Sequence, residues 1–598
     1  MASTTRGRER GKSLREKRRE YKEEKKGATE EPDVPAPYQP WMPSGYTAFK
    51  ALMSARLCAA IWSNLSDCDE TYNYWEPAHY LLYGKGFQTW EYSPIYAIRS
   101  YAYLWLHVLP LKVYVGAFLP NKILVFYFMR CILGFSCALC EVYFYKGVCR
   151  QFGANTGRLA LCILLLSTGM FISCSAFLPS SFAMYMTMLA MGGWFLNHTW
   201  AAILAVAAST IIGWPFAGII GVPIAIDIIW RQKNVFYFIQ WCAIAIFLFL
   251  LPVTIIDSQL YGKIVIAPLN IVLYNIFSDH GPNIYGVESW TFYFMNGFLN
   301  FNIIFIFALI SLPVIYGAKY VLNLKEKGLP VYLALSGMYL WMLIFFTRPH
   351  KEERFLFPIY PLIGMAGALT VDYIQKMYCY LLIRRPVFTH YTDYTSWMSV
   401  LVAGLFAIIS VSRTLALYRG YHAPLDTYLE LHRIANNDRI HTLPSDKTVN
   451  VCVGKEWYRF PSSFFLNNEN WNLQFLQSEF KGQLPKQYGK GPDATKVIPS
   501  HMNDLNLEEP SRYFDVNKCH YLIDLDASEE TAREPRYVMN TTNWKVLASS
   551  HFMDASRSHQ FFRAFYIPLL TDRYCTYTSY NILKTTRTKS KKKARSKS

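Results

Sequence analysis

Three carboxylates follow the first apolar segment of the chain, in the sequence SDCDETYNYWEP (residues 66–77). They are Asp67, Asp69 and Glu70, and acids at a membrane boundary are costly and usually functional. One of them could act as a general base that takes a proton from an acceptor hydroxyl. Ser66, Asp67 and Asp69 could instead cap a helix that starts here, which is a purely structural role.

A second polar segment, RPHKEERFLFPIYP (residues 348–361), separates two apolar runs and begins with six ionisable side chains in seven residues. Lys and Arg bind phosphate oxygens, and Arg can do so through two parallel hydrogen bonds. His350, Lys351 and Arg354 are therefore candidates for a phosphate clamp, and Glu352 could orient them or bind sugar hydroxyls. The alternative is a solvated loop whose long side chains reach from the membrane into water.

Residues near the acids are candidate substrate contacts, namely Tyr72, Asn73, Trp75, Glu76 and Arg99. On a helix that starts at the acids, Asp69 and Asn73 share one face at positions i and i+4, with Tyr72 beside them. An aromatic ring such as Trp75 could stack on a sugar face, or it could equally belong to an interfacial belt.

Acids and cations at one membrane face suit the transfer of a sugar from a lipid-phosphate donor. A carboxylate would deprotonate the acceptor, and the cations would stabilise the departing phosphate. A multispan lipid or sugar transporter is the alternative class, but transporters place ionisable groups at the bilayer midplane rather than at segment ends.

The chain has no nucleotide-binding glycine loop. Asp67-Cys68-Asp69 formally matches a D-x-D pair, but the flanking span argues against a nucleotide-sugar metal site, so we expect no metal and no cofactor.

These groups must be positioned by apolar segments that cross a bilayer, which takes about 20 residues each. Clear candidates lie near residues 122–146, 158–177, 180–195, 199–213, 214–230, 235–256, 297–320, 330–347, 355–374 and 396–416. Residues 45–65 form a weaker candidate, because Lys50 and Arg56 interrupt the segment. We count it as the first of about eleven transmembrane helices.

Residues 95–113, IYAIRSYAYLWLHVLPLKV, decide the topology, and they suit an interfacial helix better than a span. With this segment on the surface, basic residues collect in loops on the N-terminal side, as the positive-inside rule requires. These residues are Lys146, Arg150, Arg158, Arg231, Lys233, Lys319, Lys325, Lys327, Lys376, Arg384 and Arg385. We therefore expect a cytosolic N-terminus, and we place residues 66–121, 257–296, 348–354 and 417–598 on the opposite side.

Composition supports a membrane protein. Hydrophobic residues make up 52% and aromatic residues 17% of the 598 residues, while charged residues reach 17%, against about 25% in soluble domains. The net charge of +18 comes mostly from the two ends, since residues 1–26 hold 11 Lys and Arg against 5 acids, and residues 584–598 hold 8 against none. A nucleic-acid binder would carry such charge on a folded face, so we exclude nucleic acid and expect the bilayer as a partner.

Residues 417–598 are polar and contain no apolar span. Alternating runs at VNVCVG (449–454) and HYLIDLD (520–526) predict strands, and so a small α+β domain after the last span. We divide the chain into a basic disordered tail (1–44), a membrane catalytic domain (45–416), a C-terminal domain (417–583) and a second basic disordered tail (584–598).

N-glycosylation sequons occur at Asn64, Asn197 and Asn540. Asn540 is the expected acceptor, because Asn64 lies close to the bilayer and Asn197 falls on the cytosolic side. The sequence leaves open the disulfide state of the cysteines in the C-terminal domain, which are Cys452, Cys519 and Cys575.

At SDCDETYNYWEP and HKEERFLFPIYPLI the sequence closely resembles the dolichyl-phosphate-mannose-dependent mannosyltransferases of the GT-C superfamily, whose hallmark is H-K-E-x-R-F. Among them it is similar to the endoplasmic-reticulum alpha-1,2-mannosyltransferases of lipid-linked oligosaccharide assembly. The segments FQTWEYSP, SAFLPSSF, APLNIVLYN and NVCVGKEWYRFPSSF carry this similarity, which covers the chain from about residue 40 to 583.

The resemblance implies a mainly α, polytopic GT-C fold with juxtamembrane helices in the first luminal loop. It implies transfer of mannose from dolichyl beta-phosphate mannose to a dolichyl-diphosphate oligomannose glycan, forming alpha-1,2 linkages in two steps on the luminal face of the endoplasmic reticulum. Inversion requires one general base, and Asp69 is the best match for it, with Glu70 and Asp67 as alternatives. His350, Lys351 and Arg354 would contact the donor phosphate, without a bound metal. A sister enzyme that forms alpha-1,6 linkages or acts on glycosylphosphatidylinositol precursors remains the closest alternative, and oligomeric state stays open.

Overall fold

The computed structural model describes residues 41–277, 282–326, 328–384, 391–444, 446–491 and 493–586. Most of the two predicted tails lies outside these ranges, and so do Lys327 and Arg385. The first helix begins at Gly45, where the Ser44 hydroxyl accepts a hydrogen bond from Thr47 N. The last strand includes Lys584 and Thr585, which the sequence assigned to the C-terminal tail.

Helices dominate residues 45–435 within the described ranges. The α-helices are α1 Gly45–Trp62, α2 Cys68–Glu70, α3 Glu76–Tyr83, α4 Tyr101–Phe118, α5 Lys122–Phe152, α6 Ala154–Leu166, α7 Thr168–Ser173, α8 Pro179–Phe195, α9 Thr199–Ala208, α10 Val222–Ile226, α11 Val235–Ala245, α12 Leu251–Tyr261, α13 Ala267–Phe277, α14 Phe292–Leu309, α15 Ser311–Val321, α16 Val331–Thr347, α17 Tyr360–Leu381, α18 Tyr391–Tyr421, α19 Ala423–Ala435, α20 Gln560–Ala564 and α21 Leu570–Tyr574. The predicted mainly α, polytopic class is confirmed.

Within the described ranges, five helical stretches are long and apolar enough to cross a membrane, namely Lys122–Phe152, Val235–Tyr261, Phe292–Val321, Glu353–Leu381 and Tyr391–Tyr421. The other predicted spans are helical but shorter, more broken or less apolar. Residues 158–177, for example, divide at Ser167, which lies between α6 and α7 and accepts a hydrogen bond from Met170 N.

The ambiguous segment at 95–113 forms helix α4 from Tyr101 onwards, capped by the Ser100 hydroxyl. Its outer face exposes Leu109 and Val113, while Leu104 and Val108 are buried. Both the buried and the exposed face of α4 are therefore apolar, and its position at the membrane interface stays a prediction.

The C-terminal domain contains a five-stranded sheet in the order β3-β2-β5-β7-β6. The strands of the chain are β1 Phe87–Gln88, β2 Val449–Val453, β3 Trp471–Phe475, β4 Lys486–Gln487, β5 Tyr521–Leu525, β6 Trp544–Asp554 and β7 Thr576–Thr585. Strand β2 runs parallel to β3 and β5, while β7 is antiparallel to β5 and β6. The two predicted strands are confirmed as β2 and β5. A disulfide joins Cys452 of β2 to Cys519, and Cys575 is a free thiol.

The C-terminal domain packs against the loop that follows α1. Strand β1 of that loop pairs with β4, so that Phe87 lies opposite Gln487. The Tyr72 hydroxyl donates to the Trp457 carbonyl at 2.8 Å, and Trp75 meets Phe464 edge-on. This packing holds the acid-bearing turn against the C-terminal domain.

Candidate active site

The acids lie on a short, tightly bonded turn at the end of α1. Asp67 caps helix α2, because its carboxylate accepts a hydrogen bond from Asp69 N at 2.9 Å. A π-helical turn, Thr71–Trp75, follows directly and leads into α3. Such turns are frequent at functional sites, since their wider hydrogen bonding changes the direction of the side chains.

Arg354 brings the second polar segment onto these acids. Its guanidinium lies 2.6 Å from Asp69 Oδ2 and 3.1 Å from Asp67 Oδ2, and it also pairs with Glu352. The two segments are therefore in direct contact, as a shared pocket requires. Because three carboxylates hold the Arg354 guanidinium, it is oriented before any substrate arrives.

Arg99 extends this ion-pair group on the other side of Asp69. Its guanidinium donates to both carboxylate oxygens of Glu91, at 3.0 and 2.8 Å, and to the Tyr74 hydroxyl at 2.6 Å. It lies 3.9 Å from Asp69 Oδ2. Asp69 therefore lies between two arginines. Arg354 also pairs with Asp67 and Glu352, and Arg99 also pairs with Glu91. Glu91 and Tyr74 were not among the predicted site residues, although Glu91 stands in the same loop in the segment FQTWEYSP.

The charges around the two aspartates separate their pKa values. Burial raises the pKa of Asp67 to about 7, with the neighbouring Asp69 and Glu352 acting in the same direction. Burial also acts on Asp69, but Arg354 and Arg99 outweigh it and hold the pKa of that carboxyl below its usual range. Two carboxyls with separated pKa values can take different roles at neutral pH. Asp69 is the ionised member of the pair, as a general base must be.

His350 and Lys351 use hydrogen bonds to hold a neighbouring loop. His350 Nδ1 lies 2.8 Å from the Gly286 carbonyl, and Lys351 Nζ donates to the Glu288 carbonyl at 3.0 Å. Glu288 N donates in turn to the Pro349 carbonyl at 2.9 Å. Glu352 raises the pKa of His350 against the opposing effect of burial. The cations of the second segment therefore lie together, with only Arg354 in contact with the two aspartates.

Glu70 lies inside the protein. It is 4% exposed, and its carboxylate accepts hydrogen bonds from Phe177 N at 2.9 Å and from Trp75 Nε1 at 3.0 Å. Burial raises the pKa of Glu70. These contacts join the acid-bearing turn to the start of α8, which is a positioning role.

Four of the predicted substrate contacts are also buried, and the structure does not bring them to the ion-pair group of Asp67, Asp69, Arg99 and Arg354. These are Tyr72, Asn73, Trp75 and Glu76, each 2% exposed or less. Asn73 Oδ1 accepts from the Thr89 hydroxyl, and Glu76 accepts from the side chains of Ser462 and Ser463. Their hydrogen bonds connect the loop to itself and to the C-terminal domain.

A small cavity of about 30 Å³ lies beside Arg99. Its walls combine Tyr74, Arg99 and Ser100 with apolar residues such as Trp214 and Pro268. A larger apolar groove of about 560 Å³ lies between α4 and the helical stretch Val235–Tyr261, and Ile212 lines both spaces. A polar recess beside an apolar groove is the arrangement expected for a ligand with a charged head and a hydrocarbon tail.

The ligand atoms of Asp67, Cys68 and Asp69 lie within 4.8 Å of one another, close enough to share a metal ion. Arg354 contacts both carboxylates at this point. A guanidinium in that position supplies positive charge where a metal ion would, which supports the expectation of no metal. That expectation stays a prediction.

Comparisons with known proteins place the chain in a family. The model of the Alg9-like mannosyltransferase family matches residues 47–467. The mouse alpha-1,2-mannosyltransferase ALG9 is 56% identical over 558 residues, covering 93% of this chain and 91% of the mouse protein. The human protein of that name is 56% identical over 549 residues, covering 91% of this chain and 90% of its own length. The Drosophila melanogaster protein is 46% identical over 554 residues, covering 91% and 88%.

Both polar segments, Asp67–Glu70 and 348–354, lie inside the matched region. Transfer of mannose agrees with the ionised carboxylate and the cations that meet at the membrane boundary. The chain belongs to the Alg9-like mannosyltransferase family and is a multi-pass membrane glycosyltransferase.

Proposed function

We propose that this enzyme moves mannose from dolichyl beta-phosphate mannose to a dolichyl-diphosphate oligomannose glycan, and that it forms alpha-1,2 linkages at two steps of glycan assembly. The relatives named alpha-1,2-mannosyltransferase support the linkage. The contact of Arg354 with Asp69 and Asp67 is the observation on which the mechanism rests, because it joins a candidate base to a candidate phosphate ligand.

Asp69 is the proposed general base. The acceptor hydroxyl oxygen attacks C1 of the mannose, the bond from C1 to the phosphate oxygen breaks, and the hydroxyl proton passes to the Asp69 carboxylate. A single in-line displacement turns the beta donor into an alpha product. The low pKa of Asp69 keeps this group ionised, and Asp67 and Arg99 hold its surroundings in place.

Arg354, Lys351 and His350 are the proposed ligands of the donor phosphate. On binding, the phosphate would share Arg354 with the aspartates or replace one of them, since all are anions with similar hydrogen-bonding demands. We place the sugar phosphate beside Arg99, where the small cavity would widen on binding, and the polyprenyl chain in the apolar groove beside α4. Glu352 is the proposed partner of sugar hydroxyls, because part of its side chain is exposed next to Arg354.

The proposed location is the endoplasmic-reticulum membrane with the site on the luminal face. The Cys452–Cys519 disulfide supports an oxidising compartment for the C-terminal domain. Asn540 is exposed and available for glycosylation, whereas the Asn64 amide donates to the Leu417 carbonyl. Endoglycosidase-sensitive glycan at Asn540, with none at Asn197, would support this orientation; the opposite pattern would contradict it.

The test is transfer by purified protein supplied with dolichyl-phosphate mannose and a dolichyl-diphosphate oligomannose acceptor. The expected product carries mannose that an alpha-1,2-specific mannosidase releases, and the variant Asp69→Asn forms it far more slowly. Release by an alpha-1,6-specific enzyme, or transfer only to a glucosaminyl inositol lipid, would identify a sister activity. Movement of the lipid across the bilayer without transfer would contradict the enzyme.

A further inference from the structure

The C-terminal domain exposes large apolar side chains around its short helices α20 and α21. Phe561, Leu569, Leu570 and Tyr574 are 51%, 85%, 40% and 46% exposed. We call these four residues the apolar patch. Exposed groups of large apolar side chains on an ordered domain mark an interaction surface.

The backbone at Leu569 holds this side chain outward. Its φ is +68°, a region that a side chain with a β-carbon rarely adopts. Such backbone strain persists only where the surrounding structure enforces it, and it is often associated with function. The Leu569 side chain is 85% exposed, so packing within the protein does not offset the backbone strain. Another contact of this side chain must therefore offset it.

The segment that carries the apolar patch is attached to a membrane-spanning helix. Tyr566 N donates to the Ser412 carbonyl at 3.0 Å, and the Ser412 hydroxyl donates to the Tyr566 carbonyl at 2.9 Å. Arg413 Nη1 donates to the Ala564 carbonyl at 3.0 Å. Ser412 and Arg413 belong to α18, in the part whose sequence predicts a span, so these bonds hold the segment at the edge of the bilayer.

The helix to which this segment is bonded, α18, has an apolar outer face. On that helix Ile408 is 69% and Val411 48% exposed, and lipid is the expected environment of these side chains. Two arginines, Arg557 and Arg573, are exposed on the same segment. Apolar side chains flanked by basic ones match the boundary between hydrocarbon and phosphate headgroups.

We propose that the apolar patch inserts into the bilayer beside the C-terminal end of α18 and rests the C-terminal domain on the membrane surface. The partner is the lipid itself, because the segment that carries the apolar patch is bonded to a helix whose exposed apolar side chains face lipid. This proposal does not depend on the donor or the acceptor of the reaction. It adds a lipid contact to the covalent link of the domain through α19, its bonds to α18 and its contacts with the loop after α1.

The far end of strand β6 provides an internal control. Phe552 packs on Tyr421, and Met553 lies against Gly420, so the end of β6 meets α18. A strand of this length extends about 33 Å, so its other end lies about that far along the strand from the contact with α18. Met539 and Val546 near that end are 66% and 42% exposed, so they match the apolar patch in exposure but not in position.

The experiment uses the full-length protein in liposomes that contain a phospholipid with a photoreactive acyl chain. After illumination, digestion and mass spectrometry locate the lipid adducts. Adducts are expected on residues 559–575 and on residues 396–411 of α18, with none on residues 536–546. Adducts on α18 without any on 559–575 would overturn the proposal, and so would crosslinks that join 559–575 of two protein copies in place of lipid.

A pair of double variants tests the side chains themselves. Phe561→Ser with Leu569→Ser should lose the adducts on 559–575 and keep those on α18. The matched variant, Met539→Ser with Val546→Ser, should keep both sets. Both variants replace exposed residues, so thermal unfolding in detergent should match that of the unchanged protein. Equal labelling of 559–575 in the two variants would overturn the proposal.

Discussion

Arg354 and Asp69 stand 285 residues apart in the chain, and their side chains meet at 2.6 Å between Nη2 and Oδ2. This contact connects the loop after the first membrane helix with the polar segment between α16 and α17. It brings together one group that can accept a proton and one that can hold a phosphate. The proposed reaction needs both at the same reacting bond.

Asp69→Asn should reduce turnover by about 10²–10⁴-fold, which is the usual contribution of a general base. The amide keeps the size of the side chain but cannot take the proton. Steady-state rates with saturating donor and acceptor measure this effect. Glu70→Gln is the matched control, because Glu70 is buried and bonded to Phe177 N. We expect Glu70→Gln to lower thermal stability and to leave the rate of the correctly folded fraction nearly unchanged. A larger loss of rate in Glu70→Gln than in Asp69→Asn would make Glu70 the base.

Arg354→Gln should move the acid limb of the kcat/KM profile to higher pH. Arg354 favours the ionised form of Asp69, so its removal raises the pKa of that carboxyl, and more alkali is needed to form the base. A neighbouring arginine typically lowers an aspartate pKa by about 1 to 3 units, which sets the size of the expected movement. The activities of the variant and of the unchanged protein are followed from about pH 3 to pH 8, because the acid limb of the unchanged protein lies below the usual aspartate pKa of about 4.

Arg99→Gln is the comparison for that profile. Arg99 lies 3.9 Å from Asp69 and binds Glu91 more closely, so its removal should move the acid limb in the same direction by a smaller amount. An acid limb that stays in place for both variants would assign the titration to another group.

Lys351→Ala should raise the KM for the lipid-linked donor and leave the KM for the acceptor nearly unchanged. Lys351 is 7% exposed and donates to the Glu288 carbonyl, so its loss also loosens the loop that lies against the second polar segment. Initial rates with either substrate varied separate the two constants. A change confined to the acceptor constant would place the donor phosphate elsewhere.

Glu76→Ala should destabilise the contact between the loop after α1 and the C-terminal domain. The Glu76 carboxylate accepts from the Ser462 hydroxyl at 3.0 Å, the Ser463 hydroxyl at 2.8 Å and Phe87 N at 3.2 Å. Leaving such donors unpaired costs about 1–3 kcal/mol each, so the melting temperature should fall clearly in a thermal shift measurement. Glu469→Ala, near the same interface, removes no carboxylate contact of this kind and should leave it unchanged.

Cys452→Ala with Cys519→Ala should lower the free energy of unfolding of the C-terminal domain by about 2–4 kcal/mol, the typical contribution of a disulfide. The bond closes a loop between residues 67 positions apart, on β2 and next to β5. Limited proteolysis with and without reductant follows the loss, and Cys575→Ala serves as the control because Cys575 is a free thiol. Equal protease sensitivity of the two variants would show that the disulfide does not support the domain.

The sequence by itself determined the class of the protein and the two polar segments that we propose for its chemistry. Membrane helices are recognisable because an apolar run must be long enough to cross lipid, and this depends on local composition alone. Asp69 and Arg354 could be singled out for a similar reason, since ionisable groups next to apolar spans are costly. Strands β2 and β5 were predictable from their alternation.

Only the tertiary structure decided which side chains face the site. A regular helix would place Asn73 on the face of Asp69, but the backbone forms a π-helical turn over Thr71–Trp75, where Glu76 N bonds to the Thr71 carbonyl. The wider turn rotates the following side chains, and Asn73 points into the loop to bond Thr89. Glu91 and the Gly286–Glu288 backbone became part of the site only through folding. Their contacts join residues distant in sequence, and no local pattern records which distant partner a side chain will meet.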